Sequence, residues 1–212
     1  MNKILILADD LSGAADCAGG CAAAALDTLV LLDAAAAPQA TASVLAIDLN
    51  SRDTSAADAG GAMARAIGRV RDLDGRILYH KIDSTLRGNW AHELVAARAS
   101  LAGVHGAPPL AVVAPAFPGR GRLTRSGRVL VDARSPLDAA ATAPALVRDA
   151  GEVAAPLRAC GLSVRVLARP QLDAPAWASA DLFGEIARSG VDAVVCDAES
   201  ERDLAAIAPL PH

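Results

Sequence analysis

Short apolar runs that break into charged and hydroxyl residues, and then into helical periodicity, recur along this chain and constrain its fold more than any other feature. Lys3-Ile4-Leu5-Ile6-Leu7-Ala8 reads as a buried strand, and Asp9-Asp10-Leu11-Ser12-Gly13-Ala14-Ala15-Asp16 turns from it into an alanine-rich helix. Ser43-Val44-Leu45-Ala46-Ile47-Asp48-Leu49 is a second such run and leads into Asn50-Ser51-Arg52-Asp53-Thr54-Ser55. There Ser55 and Asp58 have capping-box spacing, and Ala59, Met63, Ala66, Ile67 and Val70 form the apolar stripe of the helix that follows. A third run, Arg76-Ile77-Leu78-Tyr79, opens into the most polar stretch of the chain, His80-Lys81-Ile82-Asp83-Ser84-Thr85-Leu86-Arg87-Gly88-Asn89. After it the bulky positions Trp90, Leu94, Ala97 and Leu101 resume helical spacing.

The periodicity predicts strands at about 3–8, 27–33, 43–49, 76–82 and 110–114, with helices at about 13–25, 55–71 and 89–101. A further strand, helix and strand follow at about 163–167, 179–189 and 192–196. This alternation predicts an α/β fold: one doubly wound, mainly parallel sheet with helices on both faces. A hydrophobic fraction of 53% with only 2% aromatics suits it, because Ala, Val, Leu and Ile pack parallel strands closely under helices. Near residues 119–134 the pattern changes to a small hairpin flap with its tip at Arg125-Ser126-Gly127. Residues 135–160 are rich in Ala, Pro and isolated charges, with Ala141-Thr142-Ala143-Pro144 reading as a loop between short helices. A chain of 212 residues can bury one substantial core, and no domain boundary is expected within it.

A net charge of −4 supplies no basic field for nucleic acid or an anionic membrane. The first apolar run is broken by Asp9 and Asp10, unlike a signal peptide, and Asp16, Asp27 and Asp33 punctuate the most hydrophobic region before it reaches membrane-spanning length. A cytoplasmic location is therefore expected. Cys17, Cys21, Cys160 and Cys196 form no close CxxC pair and are expected as reduced thiols, Cys17 and Cys21 as small packing residues one helical turn apart.

Polar clusters at strand-to-helix turns are where α/β proteins place ligands, since strand ends open into a crevice and free helix N–H groups attract anions. Four such segments together resemble the four-carbon acid sugar kinase family: Ala8 to Asp16, Ser51-Arg52, Lys81 to Asn89, and Ala114-Pro115-Ala116-Phe117-Pro118-Gly119-Arg120-Gly121-Arg122. The resemblance implies that residues 1–212 are similar to the N-terminal, sugar-acid-binding domain of that family. It also implies a C-terminal nucleotide-binding domain that this chain does not include. ATP and Mg²⁺ are then expected as cofactors of the full-length enzyme, neither of them held tightly by this chain alone. The expected partners are a small sugar-acid substrate and the companion nucleotide-binding domain. A homodimer is left open, and neither nucleic acid nor membrane is expected.

A four-carbon sugar acid such as erythronate, threonate or a 3-oxo-tetronate presents a carboxylate and hydroxyls. Its site needs cationic donors for the first and acceptors for the second. Arg52, Lys81 and Arg87 can supply cations, with arginine favoured because its planar fork donates two charge-assisted hydrogen bonds. Asp10 and Asp83 can accept from hydroxyls, while Ser84 and Thr85 can donate or accept. Phosphoryl transfer also needs a group that positions and deprotonates the attacking hydroxyl. Asp10 is the expected base, with Asp83 second. The chain is expected to bind the sugar acid without phosphorylating it alone.

Blander roles compete with these. Asp10 also suits a helix cap, Arg52 a solvated loop charge, and Lys81 with Asp83 a surface ion pair. His80 alternates away from Lys81 and is expected as a packed sheet residue. Asp9 and Asp16 are left outside the expected site. Two other functions remain open: an aspartate-nucleophile phosphatase, which needs two carboxylates one residue apart on one face, whereas Asp9 and Asp10 are adjacent and by strand alternation point apart, and a non-catalytic sugar-acid-binding module. A dinucleotide site is disfavoured because no GxGxxG follows the first strand.

Overall fold

The computed structural model describes residues 3–132, 147–169 and 176–208. The chain divides into two compact units, Met1–Asp83 with Arg87–Pro109, and Ser84–Leu86 with Leu110–His212. Where the sequence suggested a single sheet, the parallel strands of the described residues fall into two, one in each unit.

The first unit contains β1 (Lys3–Ala8), α1 (Leu11–Ala23), β2 (Thr28–Leu31), β3 (Val44–Asp48), α2 (Ala56–Arg69), β4 (Arg76–Lys81) and α3 (Trp90–His105). Its four strands are parallel in the order β2-β3-β1-β4, with Ile6 opposite both Ala46 and Tyr79. Side-chain alternation assigns the faces. Leu5, Leu7, Leu45 and Ile47 bury against Met63, Ala66 and Ile67 of α2 and Ala97 of α3. Ile6, Ala8, Val44 and Ala46 bury against Ala14 and Ala18 of α1 on the other face. Each fully buried Leu, Ile or Met in such a layer contributes roughly 1.5–3 kcal/mol.

The helices lie on opposite faces because the two crossovers run in opposite directions across the sheet. β1 leads through α1 to β2, passing β3, whereas β3 leads through α2 to β4, passing β1. Right-handed connections running opposite ways must cover opposite faces. The chain therefore diverges just beyond the carboxyl ends of β1 and β3, and that switch point is where open α/β sheets bind ligands. Ser55 caps α2 as its spacing implies, with the Asp58 backbone N–H donating to Ser55 Oγ at 3.2 Å; the Asp58 carboxylate accepts from Ser55 Oγ at 2.7 Å, in place of the backbone N–H of a full capping box.

The second unit has a parallel sheet in the order β5-β10-β9, formed by β5 (Ala111–Val113), β9 (Val164–Leu167) and β10 (Ala193–Cys196). Its core joins Leu167, Val194 and Cys196 to Phe183 and Ile186 of α5 (Ala176–Arg188) and Ile207 of α6 (Glu201–Ile207). The expected hairpin forms as β6 (Arg122–Arg125) and β7 (Arg128–Asp132). Ser126 and Gly127 at its tip both have positive φ, 51° and 71°, the pattern of a type I′ turn. The Asp197 carboxylate accepts from both their backbone N–H groups, at 2.6 and 2.9 Å.

Residues 147–152 correct the sequence reading. They form a third antiparallel strand, β8 (Val147–Glu152), beside β7, followed by the short α4 (Ala154–Ala159), so the hairpin is part of a three-stranded sheet. Val-Arg-Asp-Ala-Gly-Glu has little strand propensity, and its pairing shifts register opposite Val129 and Leu130 near Gly151, whose φ is 127°. Pairing with β7, rather than local preference, makes this segment extended. The loop expected at residues 141–144 lies outside the described residues.

Candidate active site

Beyond β1 and β3 a single guanidinium ties the two strand ends together. Arg52 Nε donates to Asp9 Oδ2 at 2.8 Å and Nη2 to Asp9 Oδ1 at 2.8 Å, a bidentate fork, while Nη1 donates to Asp10 Oδ2 at 2.6 Å. The Asp9 side chain is 1% exposed and that of Asp10 29%. Arg52 is held in its charged form chiefly by the hydrogen bond to Asp9, with Asp9, Asp10 and Asp83 adding favourable charge.

This placement changes the role read for Arg52. Much of its fork is committed to two carboxylates of the protein, so it organises acidic groups as well as offering its remaining donors. Asp9, left outside the expected site, is its main partner. Strand alternation suggested that Asp9 and Asp10 diverge, but β1 ends at Ala8, and Asp10, at φ −144° and ψ 160°, is already the cap of α1. Both carboxylates reach the same cation. With each Asp9 oxygen engaged and the side chain buried, Asp9 is poorly placed to act as the nucleophile of a phosphatase.

Asp10 takes the bland role and keeps room for the other. Its Oδ1 accepts from the Gly13 N–H at 2.7 Å, the N-cap bond of α1, and its partial exposure leaves acceptor capacity open. Two glycines keep this corner compact. A Cβ on Gly13 would come within 2.9 Å of Asp10 Oδ1 and 3.3 Å of Lys81 Cγ. Gly88, at φ +82°, lies where a Cβ would meet Asp9 Oδ2 at 3.3 Å and both Cγ and the carbonyl of Arg52 at 3.4 Å.

The end of β4 adds the other predicted residues. Lys81 Nζ donates to the Ile82 carbonyl at 2.8 Å. Arg87 Nε and Nη2 donate to Asp83 at 3.0 and 2.7 Å, a local pair in which Asp83 is nearly buried and Arg87 largely exposed. The Asp83 hydrogen bond raises the Arg87 pKa, with Asp10 favouring and Arg52 opposing the charge, so the four side chains share one electrostatic neighbourhood. The structure thus brings together Asp10, Arg52, Lys81, Asp83 and Arg87 within the first unit. Ser84 and Thr85 group with the second unit.

His80 is a hydrogen-bonded sheet residue, as its alternation suggested: Nε2 meets Glu93 Oε2 at 2.9 Å. Glu93, which no motif pointed to, is fully buried in the first turn of α3 and also accepts from Ser51 Oγ. Its signal in the sequence is faint. It lies three residues after Trp90 and four before Ala97, on the face that packs inward, where a carboxylate is out of place. Cys17 and Cys21 pack against the α1 core as expected, and burial raises the Cys17 thiol pKa.

The family described as the sugar-binding N-terminal domain matches residues 4–210. A D-threonate kinase of Cupriavidus necator is 44% identical over 209 residues, covering 96% of this chain and 48% of the relative. Another, from Salmonella typhimurium, is 32% identical over 208 residues, covering 97% of this chain and 48% of the relative. A Bordetella bronchiseptica crystal structure, described as a domain of unknown function with bound citrate in a domain-swapped dimer, has a TM-score of 0.73 at 31% identity. It is matched over 97% of this chain and 49% of its own. A Haemophilus influenzae protein shares the fold at a TM-score of 0.77 and 21% identity, over 97% of this chain and 50% of its own. The chain spans about half the length of the relatives it matches. No described helix is long and apolar enough to cross a membrane.

Proposed function

Since this chain belongs to the family of sugar-binding N-terminal domains, we propose that it binds a four-carbon sugar acid and presents a hydroxyl for ATP-dependent phosphorylation by a companion nucleotide-binding half. One observation carries the proposal. At the switch point of the first sheet, Arg52 grips Asp9 and Asp10 together and leaves Asp10 partly open at the start of α1. A carboxylate so fixed accepts hydrogen bonds from a polyol without reorganising, and it can take the hydroxyl proton as the phosphoryl group transfers.

Lys81 and Arg87, with the remaining donors of Arg52, would receive the acid's carboxylate, and Asp83 another of its hydroxyls. ATP and Mg²⁺ belong to the companion half in this scheme, the metal neutralising charge on the phosphates. The names of the Cupriavidus and Salmonella relatives favour D-threonate among four-carbon acids. A kinase drawing on the cytoplasmic nucleotide pool would work in the cytoplasm, and the domain-swapped Bordetella relative makes self-association part of the proposal.

Calorimetric titration of the chain with D-threonate, erythronate and three-carbon glycerate tests the proposal. Asn caps helices as well as Asp, so Asp10→Asn leaves α1 intact while removing the charged acceptor. A four-carbon acid should bind to the wild type and at least tenfold more weakly to Asp10→Asn, about 1.4 kcal/mol. Absence of binding heat with every tetronate, or equal affinity in the two proteins, would count against it.

A further inference from the structure

A buried polar chain adjoins the segment that carries Arg52, and the proposed binding step makes no direct use of it. Ser51, 1% exposed, donates from Oγ to Glu93 Oε1, and Glu93, 0% exposed, meets His80 Nε2 at 2.9 Å through Oε2. The other ring nitrogen of His80, Nδ1, is buried and has no hydrogen-bond partner among the described residues. A carboxylate taken fully out of water is costly unless charge and hydrogen bonds compensate it, and an apolar side chain would fill the same inward position of α3 more cheaply.

What the costly arrangement achieves is geometric. It links three elements, with His80 on β4, Glu93 on α3 and Ser51 in the turn after β3. Ser51 is pinned on its other sides too: its N–H donates to the Asp9 carbonyl at 3.0 Å, and its carbonyl accepts from Thr54 Oγ1 at 2.8 Å. The next residue is Arg52, whose own N–H also reaches the Asp9 carbonyl, at 3.2 Å. The order serine–carboxylate–imidazole is not that of an activated nucleophile, because the hydroxyl donates to the carboxylate and is shielded from solvent.

We propose that Ser51, Glu93 and His80 are positioning residues that fix the Arg52 guanidinium, and through it the Asp10 carboxylate, at the place where the sugar acid is received. The functional consequence rests on the sugar-acid proposal, whereas the control of Arg52 does not, and the test separates them. Ser51→Ala removes one hydroxyl. Glu93→Gln keeps the side chain's size but sets an amide donor among groups that donate to the carboxylate. Ile67→Val trims the α2 core and serves as a purely structural control.

For each protein, the Arg52 Nε–H resonance is recorded well below the melting temperature, and D-threonate affinity is measured by calorimetry. Ser51→Ala and Glu93→Gln should shift or broaden the Arg52 signal and weaken binding at least tenfold, while Ile67→Val melts lower with both readouts unchanged. Should wild type not bind threonate while the Arg52 signal still moves in the two variants, positioning stands and the sugar-acid proposal falls. A wild-type Arg52 signal and affinity in Ser51→Ala overturn the inference, and this variant alone decides if Glu93→Gln does not fold.

Discussion

Replacing Arg52 with methionine should cost the first unit far more than the same change at a surface arginine would. The Arg52→Met side chain would keep part of the apolar stem but leave the Asp9 carboxylate, 1% exposed, without its two guanidinium bonds at 2.8 Å. Removing one partner of a buried ion pair costs about 3–5 kcal/mol, because the remaining charge stays desolvated. Arg52 itself is 20% exposed, so water can partly replace it and the lower end, about 3 kcal/mol, applies. For a chain of this size each kcal/mol lowers the melting temperature by about 2–4 °C, giving a fall of roughly 6–12 °C. The assay is a double-mutant cycle read by thermal and urea denaturation, with Arg52→Met, Asp9→Asn and the pair. Neutralising Asp9 should recover part of the loss, so the double variant should be more stable than the sum of singles predicts by at least about 1.5 kcal/mol. Additive losses, or Arg52→Met melting within about 2 °C of wild type, would refute the pairing as the organiser of this corner.

Gly88→Ala should destabilise by about 1–2 kcal/mol from its left-handed φ and should also disturb the Asp9–Arg52 contact, whereas Gly103→Ala on α3, with nothing near its Cβ, should stabilise by up to about 1 kcal/mol. Denaturation of the two variants checks this; equal effects would contradict it. Asp72 is depressed to about 2 by its bonds to Lys3 and Arg76. A folded-state pKa below the unfolded value gives stability that is full above about pH 4 and fades as pH falls toward 2. Wild type and Asp72→Asn should therefore differ slightly near neutrality, since the side chain is 44% exposed, and converge near pH 2 in urea melts; a gap constant with pH would exclude the linkage.

Much of the first unit was legible in its residues because local and tertiary signals agreed. The apolar runs of β1 and β3 alternate large side chains between two helix-covered faces, and Ser55 caps α2 as its spacing implies. The hairpin with its tip at Arg125-Ser126-Gly127 was equally plain. What was hidden depended on partners distant in sequence. β8 is extended only because β7 lies beside it, and division of the parallel strands into two sheets leaves no mark on their periodicity. Among the candidate site residues, Asp10, Arg52, Lys81, Asp83 and Arg87 stood in recognisable motifs. Asp9 was misjudged because strand alternation was carried past the end of β1, and Glu93 because a buried carboxylate declares itself only through Ser51 and His80, 42 and 13 residues away.

The central claim, that a small sugar acid is received at the carboxyl edge of the first sheet, is tested most directly by mapping backbone amide shifts of the isotopically labelled chain during titration with D-threonate. The largest saturable shifts should fall on Asp10 to Gly13, Ser51 and Arg52, and Arg87 to Asn89. Shifts confined to other surfaces, or none up to millimolar ligand, would contradict it.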